Sequence, residues 1–113
     1  MRLQSRRTVA ASLALAALAL VVAGDGRAAD PAVTTVVIDG FTFKPDVVTV
    51  KAGATIVWRN TDPVPHTATS KEAGLDSGAI PAGGTYRFVA KRKGRFTYIC
   101  TFHPVMRGTL VVE

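Results

Sequence analysis

The sequence is poor in the residues that most often build disulfide and metal sites. Its 113 residues contain one cysteine, two histidines and one tryptophan. A single cysteine excludes an internal disulfide and a four-thiolate zinc or iron–sulfur site. Two histidines exclude a catalytic zinc site with three histidine ligands. The chain also lacks the G-x-x-x-x-G-K-[ST] and G-x-G-x-x-G patterns, so no motif supports nucleotide binding.

Positive charge is also limited once the N-terminal segment is set aside. The whole chain has a net charge of +6, but residues 30–113 carry ten Lys or Arg and seven Asp or Glu, a net charge of +3. This excess is mild, and no helix-turn-helix, zinc-finger or aromatic–basic pattern accompanies it. We therefore expect no nucleic-acid partner.

The first 29 residues have the three-part pattern of a bacterial secretory signal peptide. Three arginines precede a fifteen-residue apolar run over 9–23, and small residues then favour cleavage after Ala28, with Ala29 as the alternative. A membrane anchor is the competing interpretation, but a spanning helix needs about 20 apolar residues. The pair Arg6-Arg7 partly matches a twin-arginine signal, so both export routes stay open.

These features divide the chain into a signal peptide over 1–29 that is removed and a domain over 30–113. Such a signal directs the protein to the periplasm. We expect the remaining domain to stay outside the membrane, because no second long apolar run follows.

The domain is predicted to be all-β. Short segments rich in β-branched and aromatic residues alternate with turn signals such as Asp39-Gly40 and Asn60-Thr61. The predicted strands are 34–38, 41–43, 47–50, 55–58, 67–69, 85–89, 95–100 and 109–112. Residues 71–76 allow at most one helical turn. Seven or eight short strands at regular spacing predict a small β-sandwich.

The donor atoms that bind metals are concentrated in one C-x2-H-x2-M segment. Cys100, His103 and Met106 lie within seven residues, and His66 also follows a predicted strand end. Alternation along 95–100 places Phe96, Tyr98 and Cys100 on the core face. Two imidazoles, a thiolate and a thioether suit copper in both oxidation states, and three strong ligands with a weak axial Met are typical of electron-transfer copper sites. We therefore predict one copper ion with His66, Cys100, His103 and Met106 as ligands.

Other interpretations of these residues are weaker. Each could be a core or structural residue by itself, but the only cysteine and both histidines fall at strand ends together. Zinc would use Cys100 and the histidines, yet a thioether is a poor zinc ligand. A catalytic metal needs an open position and a nearby acid or base. The nearest acid to His66 is Asp62, which in Asp62-Pro63 is better interpreted as turn chemistry, so we predict no enzyme.

Two segments resemble the cupredoxin family. They read V-W-R-N-T-D-P-V-P-H over 57–66 and G-R-F-T-Y-I-C-T-F-H-P-V-M-R-G over 94–108. Within the family, the short loop from Cys100 to Met106 is similar to that of the amicyanins, and less similar to those of pseudoazurins and plastocyanins. The resemblance covers nearly all of 32–113. It implies a Greek-key β-sandwich, one type 1 copper bound by the four residues above, and a monomeric periplasmic carrier of single electrons.

The resemblance also implies partners and one departure. The partners would be redox proteins such as a periplasmic dehydrogenase or a c-type cytochrome, although the short N-terminal part argues against carrying over the specific partner of the amicyanins, methylamine dehydrogenase. The family has Asn after the upstream histidine, where this chain has Thr67. The backbone N–H of Thr67 can still reach the thiolate, but its side chain is shorter, and such contacts tune a metal site.

Two surfaces have different expected roles. The residues around His103 are apolar (Phe102, Pro104 and Val105), and we expect Pro65 to join them. An exposed apolar patch there would be a docking surface. The basic segment 91–95 begins a strand whose far end carries Cys100, which places it roughly 17 Å from the copper. We interpret that segment as a solvated turn.

Two functions use the same donors. The first is an electron carrier, and the alternative is a protein that stores or delivers copper in the periplasm. A delivery protein is expected to have Met- or His-rich tracts, and residues 30–113 contain one Met and two His. The sequence therefore favours the carrier.

Overall fold

The computed structural model describes residues 32–113, and every regular element in that range is a β-strand. The predicted signal peptide lies outside the described residues. Within 32–113 there is no helix with the length and apolar character to cross a membrane. The strands are β1 (Val33–Asp39), β2 (Thr42–Lys44), β3 (Val47–Val50), β4 (Thr55–Asn60), β5 (Thr69–Ser70), β6 (Leu75–Asp76), β7 (Thr85–Val89), β8 (Gly94–Cys100) and β9 (His103–Val112).

The strands form two sheets that pack into a sandwich. One sheet has the order β2-β1-β4-β7 and the other the order β3-β9-β8-β5-β6. The pairs β1–β4 and β3–β9 are parallel, and all other described pairs are antiparallel. A parallel pair cannot be joined by a tight hairpin, so these pairs reflect connections that cross between the two sheets. The predicted all-β sandwich is confirmed.

Several strand boundaries differ from the prediction by one or two residues, and three differences are more informative. Residues 32–113 contain nine strands rather than seven or eight, because Leu75–Asp76 pairs with β5 where one helical turn was allowed. The last strand begins at His103 rather than at residue 109, since its early residues continue the ladder with β8. Residue 41 was predicted in a strand but lies in the turn before β2.

The core lies between the sheets and is centred on aromatic rings. Trp58 from one sheet and Tyr98 from the other are fully buried, with ring centroids 5.5 Å apart and planes at 84°. The alternation predicted for β8 is confirmed, since Tyr98 and Cys100 are buried and Phe96 packs against the core while half-buried. Burial of aromatic area on both sheets therefore fixes which face of β8 delivers Cys100 inward.

Three connections meet at one end of the sandwich. They are the β1–β2 turn at 40–41, the β4–β5 loop at 61–68 and the β8–β9 turn at 101–102. Contacts between the first two run through Asp62, and a hydrogen bond from Thr67 N–H to Cys100 Sγ joins the last two. The basic segment 91–95 precedes and begins β8, whose other end carries Cys100, so it lies at the opposite end as predicted.

Candidate metal centre

Cys100 is the last residue of β8 and is fully buried. The ladder between β8 and β9 is irregular between Ile99 and Cys100, and Cys100 then pairs with His103. This irregularity tightens the chain reversal at 101–102, so a thiol and an imidazole from adjacent strand ends face each other. The distance from Cys100 Sγ to His103 Nδ1 is 3.9 Å.

His66 reaches the same point from the other side of the sandwich. Its backbone pairs with Ile80 in both directions, which fixes the ring although it lies outside a regular strand. The buried side chain of Asn60 holds the same loop by donating to the carbonyl oxygens of Val64 and Ile80. The result is a fully buried imidazole whose Nδ1 lies 3.7 Å from Cys100 Sγ.

The donor atoms of His66, Cys100 and His103 all lie within 4.8 Å of one another. With metal–sulfur and metal–nitrogen bonds of about 2.3 and 2.05 Å, two ligands of one ion are separated by about 3.6 Å in a tetrahedral site and about 3.8 Å in a trigonal one. The sulfur–nitrogen distance of 3.7 Å to His66 falls in that range, and the distance of 3.9 Å to His103 is about 0.1 Å above it. The three donors are therefore arranged to hold one ion, and a trigonal His2Cys set fits copper.

Met106 lies on the same strand as His103, three residues further along. It is buried, and it shares the inward face of β9 with Gly108 and Leu110. The structure thus brings three of the four predicted ligands together and places the fourth on the inward side of the adjoining strand. The role of Met106 as a ligand stays a prediction.

Asp62 is a residue of this site whose role the sequence analysis missed. Its Oδ2 lies 2.8 Å from His66 Nε2, and both side chains are buried. The carboxylate also accepts hydrogen bonds from the backbone N–H groups of Gly40 and Phe41. Burial tends to raise the pKa of Asp62, but the hydrogen bonds from these amides and from the imidazole outweigh it and lower the pKa.

This contact orients the imidazole as well as anchoring it. A carboxylate that accepts from Nε2–H leaves Nδ1 free to bind a metal, which is the usual arrangement around histidine ligands. The sequence did contain a signal of this contact, an acidic residue four positions before His66. We interpreted Asp62 as part of a turn because Asp-Pro is a common turn pair.

Thr67 joins the two loops that carry the histidines. Its backbone N–H donates to Cys100 Sγ at 3.3 Å, as expected from the sequence. Its hydroxyl oxygen accepts from the Thr101 N–H at 2.8 Å and lies 3.2 and 3.0 Å from the hydroxyls of Thr101 and Thr69. The shorter side chain therefore still links the loops, because Thr101 and Thr69 supply hydroxyl groups on either side of it.

The sequence is similar to those of known copper proteins. The family model for a cupredoxin-like domain matches residues 11–112. This chain belongs to the cupredoxin-like family. The amicyanin-alpha of Methylorubrum extorquens is 34% identical over 108 residues, which cover 91% of this chain and 88% of that protein. The amicyanin of Paracoccus versutus is 34% identical over 71 residues, covering 58% of this chain and 54% of that protein.

Solved cupredoxin structures give the same result. The Cu(I) form of an amicyanin variant superposes with a TM-score of 0.66 at 31% identity, covering 77% of this chain and 87% of that one. A copper-containing nitrite reductase from Thermus scotoductus has a TM-score of 0.68 at 26% identity. Because this chain covers only 23% of that enzyme, the match concerns one part of a larger protein.

An apolar surface surrounds the half-buried histidine of this cupredoxin. Phe102 is 51% exposed and Val105 is 92% exposed, and Pro65 and Pro104 are exposed as well. The exposure predicted for the apolar residues next to His103 is confirmed, and the structure adds Phe41, which is 47% exposed and whose ring centroid lies 4.9 Å from that of His103. Apolar side chains of this size on a small domain are typical of an interaction surface.

Proposed function

We propose that this cupredoxin is a type 1 blue copper protein that carries single electrons, and that it is not an enzyme. The observation that carries the proposal is the cluster of His66, Cys100 and His103 donor atoms. The thioether of Met106, which is buried on the inward face of β9, would be a fourth and weaker ligand. The amicyanin relatives and the Cu(I) amicyanin structure support copper as the metal. A bound copper ion supplies the Cu(II)/Cu(I) couple.

The protein's contribution is to hold the ligands still. Cys100 and His66 are fully buried, and each is fixed by a second contact, from the Thr67 N–H to Sγ and from His66 Nε2–H to Asp62. Ligands that are held by packing and hydrogen bonds move little when the metal changes charge. A small rearrangement on each electron transfer is what a carrier requires.

His103 is the proposed site of electron entry and exit. It is the only half-buried member of the donor cluster, and the apolar patch of Phe102, Pro104, Val105 and Pro65 surrounds it. Redox encounters use small interfaces, which permit rapid dissociation. The proposed partners are therefore redox proteins such as a periplasmic dehydrogenase or a c-type cytochrome, which a monomer would contact through this patch.

The direct test is addition of Cu(II) to the purified full chain, with Cys100→Ser as the matched control. We expect an intense blue absorption band and narrow copper hyperfine splitting in the EPR spectrum, both absent from the variant. A pale cupric spectrum contradicts the carrier. So does a colourless Cu(I) form that gives up its metal readily, and that result would favour copper storage or delivery instead.

We further propose that residues 1–29 are a signal peptide and that the domain acts in the periplasm. Expression in a Gram-negative host followed by intact-mass measurement of periplasmic protein tests both. The expected mass corresponds to cleavage after Ala28 or Ala29. Full-length protein in the membrane fraction contradicts the proposal. Replacing Arg6 and Arg7 by Lys distinguishes the routes, since export that depends on the arginine pair indicates the twin-arginine pathway.

A further inference from the structure

The β1–β2 turn at the metal end contains an unusual residue. Gly40 and Phe41 are its two central residues and have φ angles of 60° and 59°. Positive φ at both positions is the pattern of a type I′ hairpin turn, whose second position usually holds glycine. A residue with a bulky side chain is strained in this conformation. Among residues 32–113, Phe41 is the only residue other than glycine with positive φ.

The surrounding structure holds this turn in place. The Asp62 carboxylate accepts from Gly40 N–H at 2.7 Å through Oδ1 and from Phe41 N–H at 2.9 Å through Oδ2. The same Oδ2 lies 2.8 Å from His66 Nε2. One buried carboxylate therefore connects the strained turn directly to a histidine of the metal centre. Strain that is maintained by specific contacts at a site usually serves that site.

The Phe41 ring is the part of the turn that reaches the centre. Its centroid lies 5.0 Å from that of His66 and 4.9 Å from that of His103, with interplanar angles of 86° and 90°. The two imidazoles are themselves 5.4 Å apart. A single aromatic ring thus makes edge contacts with both, in the geometry that aromatic pairs prefer. Phe102 is exposed to a similar extent, but no contact joins its ring to either histidine among the described aromatic pairs.

We propose that Phe41 is a positioning residue of the metal centre, whose ring the Asp62-bound turn holds in edge contact with the His66 and His103 imidazoles. The proposal rests on the proposed copper site. The ring restrains His103, which has no carboxylate partner among the described contacts, and it shields that imidazole from water on the side that it covers. Asp62 and Phe41 therefore act as one unit. The carboxylate fixes His66 and the turn, and the ring fixes His103.

The direction of the effect on the copper follows from hydration. A wetter site favours the more highly charged Cu(II) state, which lowers the reduction potential. Phe41→Leu keeps an apolar side chain but loses the ring, and Phe41→Gly relieves the backbone strain while opening the site to water. We expect the reduction potential to fall from wild type to Leu to Gly, and release of Cu(I) to a chelator to quicken by about tenfold in the leucine variant.

Matched variants separate this role from general surface or stability effects. Phe102→Leu makes the same change on the same apolar patch, and we expect it to leave the potential and the release rate unchanged. Phe41→Tyr retains the aromatic ring, so its reduction potential and its rate of Cu(I) release should equal those of wild type. The metal-free Phe41→Gly variant should be at least as stable against unfolding as the metal-free wild type, because the backbone strain at residue 41 is gone. Equal shifts in Phe41→Leu and Phe102→Leu would overturn the proposal.

A measurement without copper separates this proposal from the copper site itself. NMR relaxation of the histidine ring carbons in the metal-free protein should show His103 more mobile in Phe41→Leu than in wild type, with Phe102→Leu unchanged. Unaltered His103 mobility in Phe41→Leu refutes the positioning role even if the protein is blue. Absence of a blue site in wild type refutes the copper function, whatever the ring mobility shows.

Discussion

At the scale of single residues, the metal centre depends on groups that do not themselves bind metal. Asp62 fixes the ring of His66, and Thr67 connects the loops of His66 and Cys100. Each of these contacts uses an atom type that only a few side chains supply, an acceptor in the first case and a short hydroxyl in the second. Substitutions at these two positions therefore test the arrangement of the ligands without removing any of them.

Asp62→Asn should weaken metal binding by loosening the hold on His66. The carboxylate accepts from the N–H groups of Gly40, Phe41 and His66, whereas one of the two terminal atoms of an asparagine side chain is a donor that must face at least one of these N–H groups. Loss of such a partner typically lowers metal affinity by about 10–100-fold. Competition with a chelator measures this, and Asp39→Asn is the control because the Asp39 side chain forms only an exposed ion pair with Lys44. Equal affinities in the two variants would contradict this role of Asp62.

Thr67→Val should loosen the link between the ligand loops. Valine has the same shape but removes the acceptor of the Thr101 N–H. Because Thr101 is exposed and water can take the place of the hydroxyl, we expect the unfolding free energy to fall by about 0.5–1.5 kcal/mol. Denaturant titration of the metal-free protein measures the loss, and Thr67→Ser, which retains the hydroxyl, should recover most of it. Because the Thr67 N–H is kept, the hydrogen bond to Cys100 Sγ should persist in both variants. A fully stable valine variant would show that the hydroxyl link is dispensable.

At the scale of secondary structure, β8 and β9 carry the centre and the core together. Tyr98 is opposite Gly108 in this pair, and the Tyr98 ring lies over the glycine. The tyrosine also packs against Phe43 and Trp58, with centroids 4.6 and 5.5 Å away. The glycine in the Met106-Arg107-Gly108 segment is therefore required for packing, because its missing side chain is the space that the ring occupies.

Gly108→Ala should be severely destabilising. A Cβ at this position overlaps the Tyr98 ring, which is enclosed by other core rings and cannot move aside. Overpacking of this kind costs about 3 kcal/mol, the upper end of its usual range. Thr109→Ala, on the half-buried outer face of the same strand, is expected to change the unfolding free energy by about 0.5 kcal/mol. Similar stability of the two variants would mean that β8 and β9 adjust without loss of packing.

At the scale of the whole molecule, chemistry and charge are placed at opposite ends. The donors and the apolar patch lie where the β1–β2, β4–β5 and β8–β9 connections meet, and the basic segment 91–95 lies at the other end of β8.

The core between these two ends contains two buried polar atoms without a hydrogen-bond partner, Trp58 Nε1 and Tyr98 OH. Burial raises the pKa of Tyr98 to about 12, and the negative charge of Asp46 adds to this shift. The indole N–H of Trp58 opposes the shift, although it does not form a regular hydrogen bond with the hydroxyl.

Tyr98 should make the fold sensitive to alkali. Below pH 10 the hydroxyl is protonated in both states, whereas between about pH 10 and 12 only the unfolded chain loses the proton. The unfolding free energy should therefore fall by about 1.4 kcal/mol per pH unit in that range. Denaturant titrations of metal-free wild type and Tyr98→Phe at pH 9 and 11 measure the difference. Tyr98→Phe should have a similar unfolding free energy to wild type at pH 9 and should lose less of it at pH 11. Equal losses in the two proteins would contradict the raised pKa of Tyr98.

Local patterns were sufficient for the fold class and for the C-terminal ligand loop. Alternation along β8 predicted that Tyr98 and Cys100 point inward, and both are buried. The spacing of Cys100 and His103 allowed one tight reversal to bring them together, because the residues are neighbours in the chain. The prediction that residue 41 begins a strand was wrong, because it relied on the same kind of local pattern. The aromatic side chain of Phe41 has strand propensity, but tertiary contacts to Asp62 hold the residue in a turn.

The sequence by itself determined which chemical groups this protein has for binding a metal, and the alternation that makes it a β-sandwich. Only the tertiary structure decided how His66 meets Cys100, 34 residues away, and why Asp62 and Phe41 belong to the same centre. The physical reason is that local pattern is set by backbone geometry and side-chain polarity over a few residues. Contacts between the β1–β2, β4–β5 and β8–β9 connections depend instead on how two sheets pack around one core.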